Sequence, residues 1–187
     1  MMKMLPNMTV IVPCDFNQTK AATIAVAEHD GPVYLRFGRP KVPVFIAEDM
    51  PFEIGKALVL NEGSDVSLIA TGHLVWEALE AAKQLEAEGI RAEVIDIHTI
   101  KPLDNEAILR SVAKTGCVVG CEEHQYNGGL NESIAQLLVR NNPAPMEFVG
   151  VDDKFGESGT PDELMAKYGL KATNIVAAAK KAIARKK

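Results

Sequence analysis

The chain has 187 residues, 47% hydrophobic, 24% charged and 5% aromatic, with a net charge of −5 at neutral pH. These proportions exclude disordered, collagen-like and coiled-coil chains. Size scaling predicts roughly 8,800 Å² of folded surface and about 70% burial, enough for one core without a metal or disulfide staple.

The acidic balance argues against a nucleic-acid surface. The one cationic run, Lys180-Lys181 and Arg185-Lys186-Lys187, suits a helix C-terminus or a solvated tail. No apolar stretch approaches the ~20 residues that cross a bilayer, and Met1-Met2-Lys3-Met4-Leu5 is too short for a signal peptide. The cysteines are three, an odd count. Cys117 and Cys121, four apart in an expected strand, would lie about 13 Å apart on one face, too far for a bridge. All three read as reduced thiols, so a cytoplasmic protein is expected.

Thr9 to Val12 is a short strand ended by Pro13. Asp15 with Gln18 three residues on is a capping-box pattern that opens a helix to about Glu28. Asp30-Gly31-Pro32 turns the chain into a second strand, Val33 to Arg36. From Gly38 to about Gly55 the chain carries Pro40, Pro43 and Pro51 without periodicity and reads as an extended linker.

A cleaner alternation follows. Ala57 to Leu60 is an apolar run, and Val66 to Ala70 a buried strand. Thr71 is the expected cap of a helix bearing Leu74, Val75, Ala78, Leu79, Ala82 and Leu85, with Gly89 just beyond its end. Ala92 to Ile97 is a strand, Asp104 caps a helix with Ile108, Leu109 and Val112, and Cys117 to Cys121 is another strand. Leu130 to Val139 is helical and Met146 to Val149 extended. Thr160-Pro161-Asp162-Glu163 starts a helix that Tyr168-Gly169 stops, and Ala172 to Arg185 forms the last one. Apolar strands alternating with helices predict a mostly parallel sheet in a three-layer α/β sandwich. The opening strand, helix and strand read as a fragment of a sheet domain.

Ligands of open α/β sheets gather at the carboxyl ends of strands. Ala70-Thr71-Gly72-His73 lies at one such end and reads as a tight turn; His73 and His98 read as solvent-facing or satisfied loop histidines. The densest polar cluster, Glu122-Glu123-His124-Gln125-Tyr126-Asn127-Gly128-Gly129, matches no zinc spacing and reads as a structural or interface loop. Arg36 and Arg39 bracket Phe37-Gly38 at a strand end, where a guanidinium fork can bind phosphate or carboxylate. Nucleophile-elbow, Walker and dinucleotide fingerprints are missing.

Six strings, PNMTVIVPCD, GPVYLRFGRP, ATGHLVWEALEAA, IDIHTIKPLD, EEHQYNGGLNE and DKFGESGTPDELMAKYGL, occur in an order that resembles the carboxyl-terminal section of transketolase. The resemblance covers nearly the whole chain. IKPLD and the Glu-to-Gly-Gly pattern are shared with related thiamine diphosphate enzymes, whereas FGESGTPDEL followed by KYGL leans towards transketolase.

The resemblance implies a division of the chain. Residues 1–45 would be the end of the pyrimidine-binding domain, 46–55 a linker, and 56–187 the carboxyl-terminal domain with a mostly parallel five-stranded sheet. It implies transfer of a two-carbon ketol unit between sugar phosphates with thiamine diphosphate and a divalent metal such as magnesium. The cofactor belongs to the complete enzyme, with none expected on this chain alone. The family's catalytic groups have no counterpart here, and one position carries over: Arg39 matches the arginine that binds the sugar phosphate. Members with Ser or Thr where Phe37 and Gly38 stand would add hydroxyl contacts that this chain lacks.

The implied partner is a section carrying the diphosphate-binding domain. The assembly would be a homodimer through the carboxyl-terminal domain or a heterotetramer, with no nucleic acid or membrane, and the chain inactive alone. Two other readings stand beside this one: a non-catalytic interaction or regulatory module of the same fold, and a section of a deoxyxylulose-phosphate synthase or 2-oxo acid dehydrogenase beta subunit.

Overall fold

Two sheets share one chain in the computed structural model, which describes residues 1–186; Lys187, the end of the cationic run, lies outside the described residues. In chain order the elements are β1 (Thr9–Ile11), α1 (Phe16–Glu28), β2 (Val33–Leu35), β3 (Leu58–Asn61), β4 (Val66–Ala70), α2 (Leu74–Ala87), β5 (Ala92–Asp96), β6 (Thr99–Lys101), α3 (Asn105–Thr115), β7 (Val118–Gln125), α4 (Leu130–Asn141), β8 (Met146–Val151), α5 (Pro161–Lys167) and α6 (Ala172–Ala184).

The larger sheet has the order β3-β5-β4-β7-β8. β5, β4, β7 and β8 run parallel, and β3 is an antiparallel edge. Every residue of β4 and β5 is buried, as expected for strands covered on both faces. Alternate side chains build two separate cores. Leu68, Val94 and Val119 pack with Leu74, Ala78 and Leu85 of α2 and with Ile175 and Ala179 of α6. Ile69, Ile95 and Val118 pack on the opposite face with Ile108 and Val112 of α3 and Ile134 and Leu138 of α4. The result is the expected three-layer sandwich around a mostly parallel five-stranded sheet.

The second core also takes in Val10 and Val12, so the first segment is built into the sandwich. β1 pairs parallel with β2 and antiparallel with β6 in a three-stranded sheet. Sequence reading gave β6 no separate place; it follows β5 after only Ile97 and His98 and carries the first segment on its edge.

Local chemistry sets the boundaries. Asp15 accepts from Gln18 N at 2.8 Å, while the Gln18 carbonyl reaches back to Cys14 N. Asp104 accepts from Ala107 N and also from Ala57 N, tying α3 to the chain before β3. Gly116 ends α3 with φ 75°, where a Cβ would be strained. Thr160 and Glu163 complete a reciprocal capping box.

One cap differs from expectation. His73, not Thr71, precedes α2, and it makes no side-chain cap. Thr71 is buried and turns its hydroxyl to the Val12 carbonyl at 3.4 Å. The contact with the first segment outcompetes the helix end. The cationic run serves the sandwich rather than a ligand: Lys181 and Arg185 pair with Glu147, and Lys186 bonds the Asp65 carbonyl.

Candidate functional site at the carboxyl ends of β4 and β7

α2 leaves the end of β4 toward one face of the sheet, whereas α4 leaves the end of the neighbouring β7 toward the other. Adjacent parallel strands whose helices diverge open a crevice between their carboxyl ends, the usual ligand position of this architecture. Thr71-Gly72-His73 forms one wall and Glu122-Glu123-His124 the other. These segments lie some fifty residues apart in sequence, and only the β4–β7 register brings them together.

The chain fills much of this crevice itself. Glu122 is buried and accepts from Leu130 N at 2.7 Å and Asn131 N at 2.8 Å. It neutralises the amides that open α4, taking the place an external anion would occupy. Burial raises the Glu122 carboxyl above its ordinary range, and the two backbone amides pull it back down. Gly129 is needed beneath it, because a Cβ there would collide with the carboxylate. The polar cluster is therefore structural at Glu122, as the sequence suggested, though nothing in the sequence identified that residue as a helix cap eight positions away. Glu122→Ala should lower stability by about 1–3 kcal/mol by orphaning buried amides; an unchanged urea midpoint would remove this assignment.

Glu123 faces the other way. Its carboxylate is 3.2 Å from His73 Nδ1, and that hydrogen bond holds it below the usual carboxylate range. Its backbone carbonyl accepts from Arg36 Nη2 at 3.2 Å. Gly38 lies against the His73 ring so closely that a Cβ would overlap it. His73 is thus mostly covered and satisfied by Glu123, the second of the two alternatives read from the sequence. His98 is fully buried, shares a 3.0 Å hydrogen bond between Nδ1 and Thr99 Oγ1, and stacks 4.2 Å from Phe52. Burial lowers its pKa to about 4.

The arginine pair is split. Arg36 is partly buried and engaged by Glu123, whereas Arg39 is exposed on the loop after β2. Around this loop lie a groove of about 430 Å³ lined by Phe16, Phe37, Gly38 and Pro40, and a cleft of about 880 Å³ lined by His73, Trp76, Glu123 and Lys171. All three cysteines are unpaired and buried, and burial raises the thiols. No helix among the described residues is long and apolar enough to cross a membrane.

Residues 55–175 match the family model described as "Transketolase, C-terminal domain". The chain belongs to the transketolase family. A 6-deoxy-6-sulfo-D-fructose transketolase subunit from Clostridium sp. (strain MSTE9) is 47% identical over 99% of this chain and 58% of its own length. A putative transketolase C-terminal section from Methanocaldococcus jannaschii is 40% identical over 93% of this chain and 55% of its own. Several 1-deoxy-D-xylulose-5-phosphate synthases also match, at 34–37% identity.

A solved structure titled "Split gene transketolase, inactive beta4 tetramer" superposes with a TM-score of 0.97 at 49% identity, covering all of this chain and 61% of that one. The chain therefore spans a little over half the length of the transketolase relatives and under a third of the synthases. The transketolase-type α/β fold is as expected.

Enzymes of these kinds use thiamine diphosphate, so the residues here can be tested against it. The helix N-terminus that could cradle a diphosphate, that of α4, already holds Glu122. Among the described residues no cluster of three metal-ligating side chains forms. The crevice of this chain does not fit the diphosphate and its metal.

Proposed function

We propose that this chain is the carboxyl-terminal subunit of a transketolase assembled from two kinds of polypeptide, which transfers a two-carbon ketol unit between sugar phosphates. In this reading residues 1–45 complete a pyrimidine-binding domain, 46–55 form the linker, and 56–187 are the carboxyl-terminal domain. Thiamine diphosphate and a magnesium ion sit elsewhere in the assembly and supply the electron sink for ketol transfer. This chain contributes packing surface and one anion anchor, Arg39.

The observation that carries the proposal is the superposition, over the full chain, on a split-gene transketolase chain. Surface properties support it. The described accessible area is 9,895 Å², about 1,100 Å² above the size expectation for an isolated chain of this mass. Of the twelve large apolar side chains left exposed, nine lie within the first 50 residues, among them Phe16, Ile24, Phe37 and Val44. Exposed apolar side chains so numerous in one segment suit a surface that a protein partner covers, in this reading the section with the diphosphate-binding domain.

The test is reconstitution. The chain alone, with thiamine diphosphate and magnesium, should show no ketol transfer, and adding the amino-terminal section should restore it. Ketol transfer by the isolated chain would overturn the two-polypeptide reading. One relative is named for apulose 4-phosphate, a sugar phosphate, and another for 6-deoxy-6-sulfo-D-fructose, which favours a sulfonated sugar as a second choice for the same site. A terminal sulfonate would meet Arg39 as a phosphate does, and competition between the two sugars in the assembled enzyme distinguishes them.

A further inference from the structure

The exposed loop after β2 has little to hold it. Residues 37 to 45 form no regular element, and Pro40 and Pro43 limit its backbone donors. Its far end is fixed by Asp15, whose carboxylate accepts from Phe45 N at 2.9 Å and Ile46 N at 2.8 Å. Its near end is fixed by β2 and by Arg36, whose Nη2 donates to the Glu123 carbonyl. Between these anchors Gly38 meets the imidazole of His73, a residue of the β4–α2 turn.

That imidazole is not free to yield. Its Nδ1 is held by Glu123 at 3.2 Å, and only 14% of the side chain is accessible. Gly72, beside it, rests on a Val12 methyl. The ring is therefore a fixed plate rather than the loose end of a side chain, and the loop lies on it one residue before Arg39. Phe37, on the other flank of Gly38, is 61% exposed and adds little packing.

We propose that His73 is a positioning residue for Arg39: its ring, clamped by Glu123, is the floor under Gly38 that fixes the direction of the arginine. This rests on the reading of Arg39 as the anchor for a substrate's anionic end. It explains why the chain has glycine at 38, since any Cβ would strike the histidine. It also places a determinant of substrate binding in the β4–β7 crevice.

Steady-state kinetics on the reconstituted enzyme with a phosphorylated ketose test this, using Gly38→Ala, His73→Ala, the double variant and Arg39→Ala. Gly38→Ala should raise KM about tenfold with kcat within about twofold, as expected from a misdirected binding group. His73→Ala should raise KM by a smaller factor. The double variant should fall back to the His73→Ala value, because the colliding ring is gone and the two effects are coupled rather than additive. A merely structural role would lower kcat and stability without this rescue.

Unchanged KM in Gly38→Ala, or a double variant whose effect is the product of the singles, would overturn the floor. Arg39→Ala separates the two readings: unchanged KM there removes the anchor, whereas raised KM there with Gly38→Ala silent removes only the floor.

Discussion

Asp96→Asn is expected to stabilise the chain above pH 7 and to destabilise it below pH 4, by about 1–3 kcal/mol in each case. Asp96 ends β5 at the junction of the two sheets and has no solvent exposure. Gln18 Nε2 donates to its Oδ2 at 2.5 Å and the Cys14 thiol approaches the same oxygen at 3.8 Å, while Oδ1 has no partner. Burial raises its pKa from 3.8 to about 7, opposed by these two donors and reinforced by Asp15.

A carboxyl raised in the folded state keeps its proton while the unfolded chain has already released it. Folding is therefore favoured least where Asp96 must ionise. Stability is highest below the unfolded pKa of 3.8, falls as pH rises toward 7, and stays low above it. The interval corresponds to a ceiling of about 4 kcal/mol at 1.36 kcal/mol per pH unit.

Asparagine offers Gln18 the same acceptor and cannot ionise. Its amide nitrogen would take the unpartnered position, a penalty of about 1–3 kcal/mol. The net gain above pH 7 should be about 1–3 kcal/mol, read as a difference between urea unfolding curves at pH 4, 6 and 8. A difference that does not change with pH would mean that Asp96 is ionised in the folded chain.

The same residue shows where sequence reading stopped. α2, α3 and α6 were legible because their apolar positions recur at helical spacing and Asp104 and Gly89 punctuate two of them. β4, β5 and the first half of β7 were legible because both their faces are apolar. β3 and β6 were not assigned as strands. β3 is an edge with alternating exposure, and β6 is three residues long, so their pairing rests on tertiary context rather than local pattern.

The site was less visible still. Glu122, Glu123 and His124 look equivalent as a string. In the fold Glu122 turns inward to cap α4 and Glu123 turns across the crevice to His73, a division set by the strand's two-residue period. Gly38 and His73 follow strands of different sheets, and no local signal links them. Asp96, read in sequence as one more residue of an apolar strand, shows its character only when Gln18 and Cys14 are packed over it.

Arg39→Ala in the assembled enzyme should raise KM for phosphorylated sugars by about 10- to 150-fold, the equivalent of one charge-assisted hydrogen-bonded contact worth about 1.5–3 kcal/mol. The two arginines beside Phe37-Gly38 looked alike in sequence. Their surroundings separate them, since Arg36 gives its guanidinium to the Glu123 carbonyl and is partly buried, while Arg39 stands exposed on the loop. Arg39 is the more accessible of the two to an incoming oxyanion. A guanidinium offers a planar fork that meets two oxygens of a phosphate or sulfonate at once, which an ammonium cannot do. Arg39→Lys should therefore recover part of the affinity and less of the discrimination between anionic and neutral sugars. Because the proposed contact would lie at the far end of the sugar from the carbonyl that reacts, kcat at saturation should change far less than KM. A sugar without the anionic group never uses the contact, so its kcat/KM should be the same in Arg39→Ala and the parent. An equal loss for both sugars would mean that the substitution disturbs the site as a whole, and an unchanged KM for the phosphorylated one would take the anchor away from Arg39.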